Sequence, residues 1–295
     1  MINEPIYVVS LFNGMGTLRQ ALHNLNIPVA KYWSSEIKPY ANKLQQYHFP
    51  DVIQVGDIRK WREWDIDWAQ VDLIGSGSPC QDLSIAGKRA GLTGDNSKLF
   101  WIFVEILNHV QKLNPNVKFL QENVGSAPKE AVGLISKSLG VYPVLINSNL
   151  VTAQNRARYY WSNFRIKEVG FFYKYVDIPQ PADRKIYLKD IIESGECDVD
   201  KSGCVTERYN SAYEYADEKS EKAQKNIQKR IDGEFTTAIK ENGIWRKLSQ
   251  TELERLQGFP DGYTSILSYN QASSVLGDGW TLPVIEHLLK YYTKE

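Results

Sequence analysis

Five short apolar runs in the first half of the chain, Ile6 to Phe12, Ala30 to Ser35, Val52 to Val55, Val71 to Ser76 and Val117 to Gln121, each end at a turn-forming or polar residue. Segments of helical spacing lie between several of them: Leu18, Ala21, Leu22 and Leu25 after the first, about Tyr40 to Tyr47 after the second, and about Leu99 to Val110 between the last two. Strands and helices in alternation are the signature of βαβ units, and near-continuous Val, Ile, Leu and Phe in such runs fits a parallel sheet covered on both faces. The expected fold is therefore α/β, with a Rossmann-like sheet. After Val141 to Leu150 and Arg158 to Ser162 the regularity fades, and Phe164 to Lys247 is aromatic, charged and poorly periodic. A second, smaller domain is expected there, over 164–271, with the first domain at 1–163 completed by 272–295. Helical spacing resumes at Leu248 to Gln257, where Ser249 as N-cap and Glu252 three positions later form a capping box, and a last helix spans Leu282 to Tyr292.

Lys plus Arg number 35 and Asp plus Glu also 35 in a chain of 295 residues, which excludes a histone-like mode of nucleic-acid binding. A polyanion has to be met by a local patch. The polar tract Glu214 to Arg230 alternates in sign and reads as a solvated helix face. Three cysteines are too few for a disulfide framework and point to a reducing compartment. Neither a secretory leader, nor a basic nuclear address, nor an apolar run of about 18 residues is present, so the expected location is cytoplasmic, with no membrane partner. His23, His48, His109 and His287 are dispersed, and Cys197 and Cys204 have no histidine nearby, so no metal site is expected.

An open parallel sheet binds ligands beyond the carboxyl ends of its strands. The residues there are Phe12-Asn13-Gly14-Met15-Gly16, Glu36, Gly56-Asp57, Ser78-Pro79-Cys80 and Glu122-Asn123. A glycine turn lets backbone approach a ligand closely, and Glu36 lies 20 residues beyond Gly16, the separation that places an acid on ribose hydroxyls. A nucleoside-bearing cofactor follows. Arg19 stands where the dinucleotide fingerprint has its third glycine, which argues against a nicotinamide cofactor. Asp57 is suited to accept from an exocyclic amine such as adenine N6, and Ile37 and Ile58 offer apolar faces to a purine. Pro79 cannot donate to a central ladder, so Cys80 is expected on a turn outside the sheet, followed by a long basic loop, Gln81 to Ser97, of the kind that closes over a substrate. Glu122 is either a general acid or an ordinary acid at a helix start. Gln154, Arg156 and Arg158 alternate, so an extended segment would aim them to one face, as a donor cluster or as a plain polar strand face.

In this order the motifs resemble the cytosine-C5 DNA methyltransferase family, over nearly the whole chain apart from Phe164 to Lys247. Phe12-x-Gly14-x-Gly16 resembles its donor-binding motif, Gly77-Ser78-Pro79-Cys80-Gln81 its nucleophile motif, Glu122-Asn123-Val124 its acid motif and Gln154-x-Arg156-x-Arg158 its arginine motif. Gln257-Gly258-Phe259-Pro260 is similar to the segment opening the family's last third. Phe12 to Thr17, Arg156-Ala157-Arg158-Tyr159 and Gly279-Trp280 with Leu282 to Ile285 are worded most like the de novo branch of the animal enzymes, whereas Asp278 after Gly277 departs from the Asn usual in bacterial members.

The resemblance implies an S-adenosylmethionine-dependent enzyme acting on double-stranded DNA, with 164–271 as target-recognition domain and a restriction-modification setting among those that would use it. It implies that Phe12, Asn13, Gly14, Met15, Gly16, Thr17, Glu36, Ile37, Asp57 and Ile58 hold the cofactor, with Leu99 and Trp280 as apolar contacts. It implies Cys80 as nucleophile on C6 of a flipped-out cytosine, Glu122 as proton donor to N3, and Arg158 supported by Arg156 on O2. Phosphates are expected at Lys88, Arg89, Arg165 and Lys167, and base contacts at Tyr173, Tyr175, Arg208 and Tyr209. A tRNA-directed member would share the catalytic motifs, and a catalytically silent DNA-binding relative would keep the fold. A methylase acting on an exocyclic amine is disfavoured, because its Asp- or Asn-Pro-Pro-aromatic tetrapeptide is absent.

Overall fold

The structure, a computed structural model, describes residues 4–78, 98–170, 173–206, 220–232 and 237–293. Its centre is a seven-stranded sheet made from β1 (Ile6–Leu11), β2 (Val29–Ser35), β3 (Ile53–Gln54), β4 (Leu73–Ser76), β5 (Lys118–Val124), β6 (Val144–Asn147) and β7 (Ala157–Ser162), in the order β3-β2-β1-β4-β5-β7-β6. The first five strands run parallel, and β7 is antiparallel to β5. Helices α1 (Thr17–Asn24), α2 (Pro39–His48), α3 (Lys98–Leu113) and α4 (Lys129–Leu139) supply the crossovers. Each turns an apolar stripe to the core: Leu18 and Leu22 from α1, Leu44 from α2, Phe103 and Ile106 from α3 are buried, as are Val8, Ile74 and Leu120 on the strands. Burial of one such side chain contributes about 1.5–3 kcal/mol.

The structure corrects two expectations. Gln154 and Arg156 are not on a strand with Arg158, because β7 starts only at Ala157. Upstream of it the backbone turns, with Ser148 N–H bonded to the Arg156 carbonyl and Arg156 N–H to Asn147 Oδ1. The second correction concerns Arg165, Lys167, Tyr173 and Tyr175. Because β7 is antiparallel, it carries the chain away from the carboxyl ends of β1 to β5, and Asn163 bonds Phe119 N–H and the Val117 carbonyl at the opposite end of β5. From there β8 (Ile166–Val169) and β9 (Tyr173–Val176) form a hairpin, tied to the sheet through Tyr142, whose ring stacks on Tyr175. These four residues therefore lie away from the rim where the motifs collect.

The chain divides into two compact units, one of Met1–Ile146, Ala157–Gln180 and Ile285–Glu295, the other of Asn147–Arg156 and Pro181–Val284. The second holds α5 (Glu221–Asp232), which takes up part of the alternating charge tract, the hairpin β10 (Ile239–Glu241) and β11 (Ile244–Arg246), α6 (Gln250–Leu256) and α7 (Tyr269–Asp278); α8 (Leu282–Leu289) spans the boundary. The expected capping box is present: Ser249 Oγ accepts from Glu252 N–H at 3.1 Å and Glu252 Oε2 from Ser249 N–H at 2.7 Å. After α6, Gly258 takes φ +76°, and a Cβ there would lie 2.3 Å from Pro283 Cδ. The Gln257-Gly258-Phe259-Pro260 turn thus requires glycine for conformation and for space.

Candidate active site

Leu11 pairs with Ser35 on one side and Ser76 on the other, so the chain leaves β1, β2 and β4 at one level. Phe12 then adopts φ +55°, a left-handed conformation that costs a bulky residue about 1–3 kcal/mol and that collects at functional sites. Gly14 follows at φ +54° and Gly16 at +85°, and among the described residues a Cβ on Gly14 would meet nothing within 4 Å. Among the described residues, the space beside Gly14 is open. Glu36 closes its far side: Oε2 accepts from Gly14 N–H at 2.9 Å, and Oε1 from Ile37 N–H at 2.7 Å and Lys38 N–H at 2.8 Å. Three amides hold the carboxylate in place and leave it acceptor capacity for hydroxyls. Ile37 beside it is 69% exposed, an apolar face without cover, while Ile58 is buried.

Ser35 Oγ donates to the Gly56 carbonyl at 2.6 Å and brings Asp57 to the same rim. Asp57 accepts from the backbone N–H of Arg59 at 2.9 Å and from its guanidinium, which holds the carboxyl below the usual carboxylate range. A purine amine would share Asp57 with Arg59. Met15 and Thr17 are buried in the turn and the start of α1, so neither side chain is exposed at the rim. Asn13 is also turned inward, with its amide on Ser34, Gln45 and Tyr32. Leu99 is half-buried in the first turn of α3; Trp280, also half-buried, belongs to the second unit. An open glycine turn, a carboxylate fixed by three amides and an exposed isoleucine next to it fit the adenosine half of S-adenosylmethionine.

On the other side of the sheet centre, Glu122 lies within β5 rather than after it, paired with Tyr160, while Arg158 pairs with Val124 two positions on. Diagonal neighbours on one face of an antiparallel pair come within reach of long side chains. Arg158 Nε accordingly meets Glu122 Oε1 at 3.0 Å, both side chains being largely buried. Gln121 Nε2 donates to Ser78 Oγ at 3.0 Å, anchoring the segment that leads to Cys80. Cys80 itself lies outside the described residues, as do Lys88, Arg89, the whole of Gln81 to Ser97, and Arg208 and Tyr209. Arg156, 3% exposed, belongs to the second unit, where its guanidinium donates to the carbonyls of Val205, Gly277 and Gly279 and to Cys204 Sγ. Sequence reasoning missed Gln45, Tyr32 and Ser34. For Gln45 a signal existed: it shares the buried stripe of α2 with Ala41 and Leu44, where a polar side chain needs a partner.

Residues 6–294 match the model of the C-5 cytosine-specific DNA methylase family. The chain belongs to that family. Its enzymes methylate cytosine at C5, and membership together with the fold implies S-adenosylmethionine as methyl donor. Among curated relatives, the chain is 27% identical over 305 residues to the Type II methyltransferase M1.ScrFI of Lactococcus lactis subsp. cremoris, covering 94% of this chain and 75% of that one. It is 29% identical over 325 residues to the Type II methyltransferase M.HpaII of Haemophilus parainfluenzae, covering 97% and 88%. Among solved structures it is similar to the Entamoeba histolytica methyltransferase EhMeth, with a TM-score of 0.68, 17% identity and 98% of both chains covered. The S. pombe Dnmt2 methyltransferase follows at TM-score 0.62 and 16% identity, with 97% of both chains covered. These two likenesses bear on the fold: an α/β methyltransferase sheet, mostly parallel.

Proposed function

We propose that this enzyme methylates C5 of a cytosine flipped out of double-stranded DNA, through a transient covalent bond between Cys80 and C6. The observation that carries the reading is the Glu122–Arg158 pair, 3.0 Å apart at the carboxyl end of β5. Cytosine C5 is too weak a nucleophile to take a methyl group unaided. Addition of the Cys80 thiolate to C6 forms a C–S bond and moves the ring electrons toward C5 and N3, where Glu122 supplies a proton. Arg158 donates to O2 and disperses the remaining charge, a kind of stabilisation worth about 2.7–4 kcal/mol per donor. Bound S-adenosylmethionine supplies a sulfonium methyl group. The open Gly14–Gly16 turn, Glu36, Ile37 and Asp57 hold its adenosine half. Loss of the C5 proton to a base, expulsion of the thiolate and return of the N3 proton to Glu122 restore the ring.

A stacked base cannot reach such a site, so flipping is required, at about a few kcal/mol. Target recognition falls to the domain expected at 164–271, and within it to 181–271, because the β8–β9 hairpin belongs to the first unit. The Type II relatives support a restriction-modification setting in a bacterial or phage-infected cytoplasm. The test begins with sequencing of methylated cytosines in DNA from an expressing host, with tRNA assayed beside it. A duplex of the recovered site carrying 5-fluorocytosine is then incubated with enzyme and S-adenosylmethionine. Wild type is expected to be trapped covalently and Cys80→Ala not. An unmodified genome alongside folded protein, or methylated tRNA alone, overturns the DNA reading; methylation without any trapped adduct overturns the covalent mechanism.

A further inference from the structure

Beneath the glycine turn lies a buried set of polar side chains that the reaction itself does not use. Gln45, 1% exposed on α2, donates from Nε2 to the carbonyl of Gly14 at 2.5 Å. Its Oε1 accepts from Asn13 Nδ2 at 2.9 Å, from Ser34 Oγ at 2.7 Å and from Gln54 Nε2 at 3.0 Å. Asn13 Oδ1 in turn accepts from Ser10 Oγ at 2.6 Å and from the Tyr32 hydroxyl at 2.8 Å. Gly14 is thus held on both sides, its N–H by Glu36 just after β2 and its carbonyl by Gln45 on α2. Packing is close as well, since a Cβ on Gly16 would lie 3.3 Å from Gln45 Cγ.

We infer that Gln45 is a positioning residue for the methyl donor: it presets the Gly14–Gly16 turn in its binding conformation before any ligand arrives. The physical reason is pre-organisation. A turn with two left-handed glycines samples many conformations, and whatever order is present beforehand is not charged against binding. An amide is the side chain the site calls for, because it donates to Gly14 and accepts from Asn13 at once. Methionine keeps length and apolar bulk but does neither, and glutamate would set a carboxylate against the Gly14 carbonyl.

The inference rests on the turn being the donor site, and the experiment separates the two. Gln45→Met and wild type are compared in calorimetric titration with S-adenosylhomocysteine, in ligand-free amide exchange at Gly14 and Gly16, and in kcat and KM for the donor. Val110→Ala, in the core of α3 and away from the turn, serves as a variant of lowered stability. Gln45→Met is expected to weaken S-adenosylhomocysteine about tenfold, the factor that corresponds to 1.4 kcal/mol. It should also speed exchange at Gly14 and Gly16 and raise KM with kcat nearly unchanged, while Val110→Ala does none of these. Binding by Gln45→Met as tight as wild type, or equal weakening by Val110→Ala, overturns the inference and leaves the proposed function standing. Failure of the wild type to bind the ligand removes the donor-site reading and this inference with it.

Discussion

Two arginines two positions apart show how little a motif says about a side chain's surroundings. Arg158 sits against Glu122, whereas the Arg156 guanidinium is taken up by three backbone carbonyls and a thiol of the second unit. A planar, permanently charged fork of donors can satisfy several carbonyls at once. A polar group with the opposite fate is Tyr292. It is 4% exposed, its hydroxyl has no hydrogen-bond partner among the described residues, and burial, with the Asp72 carboxylate adding to it, pushes its pKa up. A buried hydroxyl left unpaired costs about 1–3 kcal/mol. Tyr292→Phe is therefore expected to raise the melting temperature by a few degrees, read by calorimetry or dye fluorescence. A fall would mean that the hydroxyl is bonded in solution.

Among the elements, α6 shows best how sequence, packing and charge combine. Its capping box closes the first turn, and the same Glu252 carboxylate, fully buried, also receives Arg246 at 2.8 Å and the N–H of Glu193 at 2.8 Å. Burial alone would raise its pKa, but Arg246 and the two backbone donors outweigh burial and hold it below the ordinary glutamate value. With the folded pKa below the unfolded value of about 4.3, the contribution is complete above that pH and is lost as pH falls through the folded pKa. Unfolding titrations from pH 7 to 3 are expected to show stability dropping on this acid limb. Glu252→Gln should lower neutral-pH stability by about 1–3 kcal/mol and flatten the limb. An unchanged acid limb in that variant would assign the pH dependence to other carboxyls.

At the scale of the whole molecule, zero formal charge means that DNA affinity depends on where cations lie rather than on how many there are. Arg165 is engaged with Asp177 and Lys167 is on a hairpin that leaves from the wrong end of the sheet. The double variant Arg165→Ala, Lys167→Ala is expected to bind a fluorescent duplex within about twofold of wild type, with an unaltered salt dependence, since each lost phosphate contact would change the log–log slope by about 0.9. A shallower slope would restore these residues to the DNA surface. The strand–helix alternation, the glycine turn with its acid at Glu36 and the α6 capping box were all legible in the chain, because each is a local pattern of periodicity or spacing. Three other features were decided only by the tertiary structure. Glu122 meets Arg158 because β7 returns antiparallel at one particular register; Arg165, Lys167, Tyr173 and Tyr175 lie opposite the rim for the same reason; and Gln45 finds the Gly14 carbonyl because α2 folds back under a turn 31 residues earlier. Strand direction, register and the partner of a buried polar group depend on contacts between residues distant in the chain, and local pattern carries no record of them.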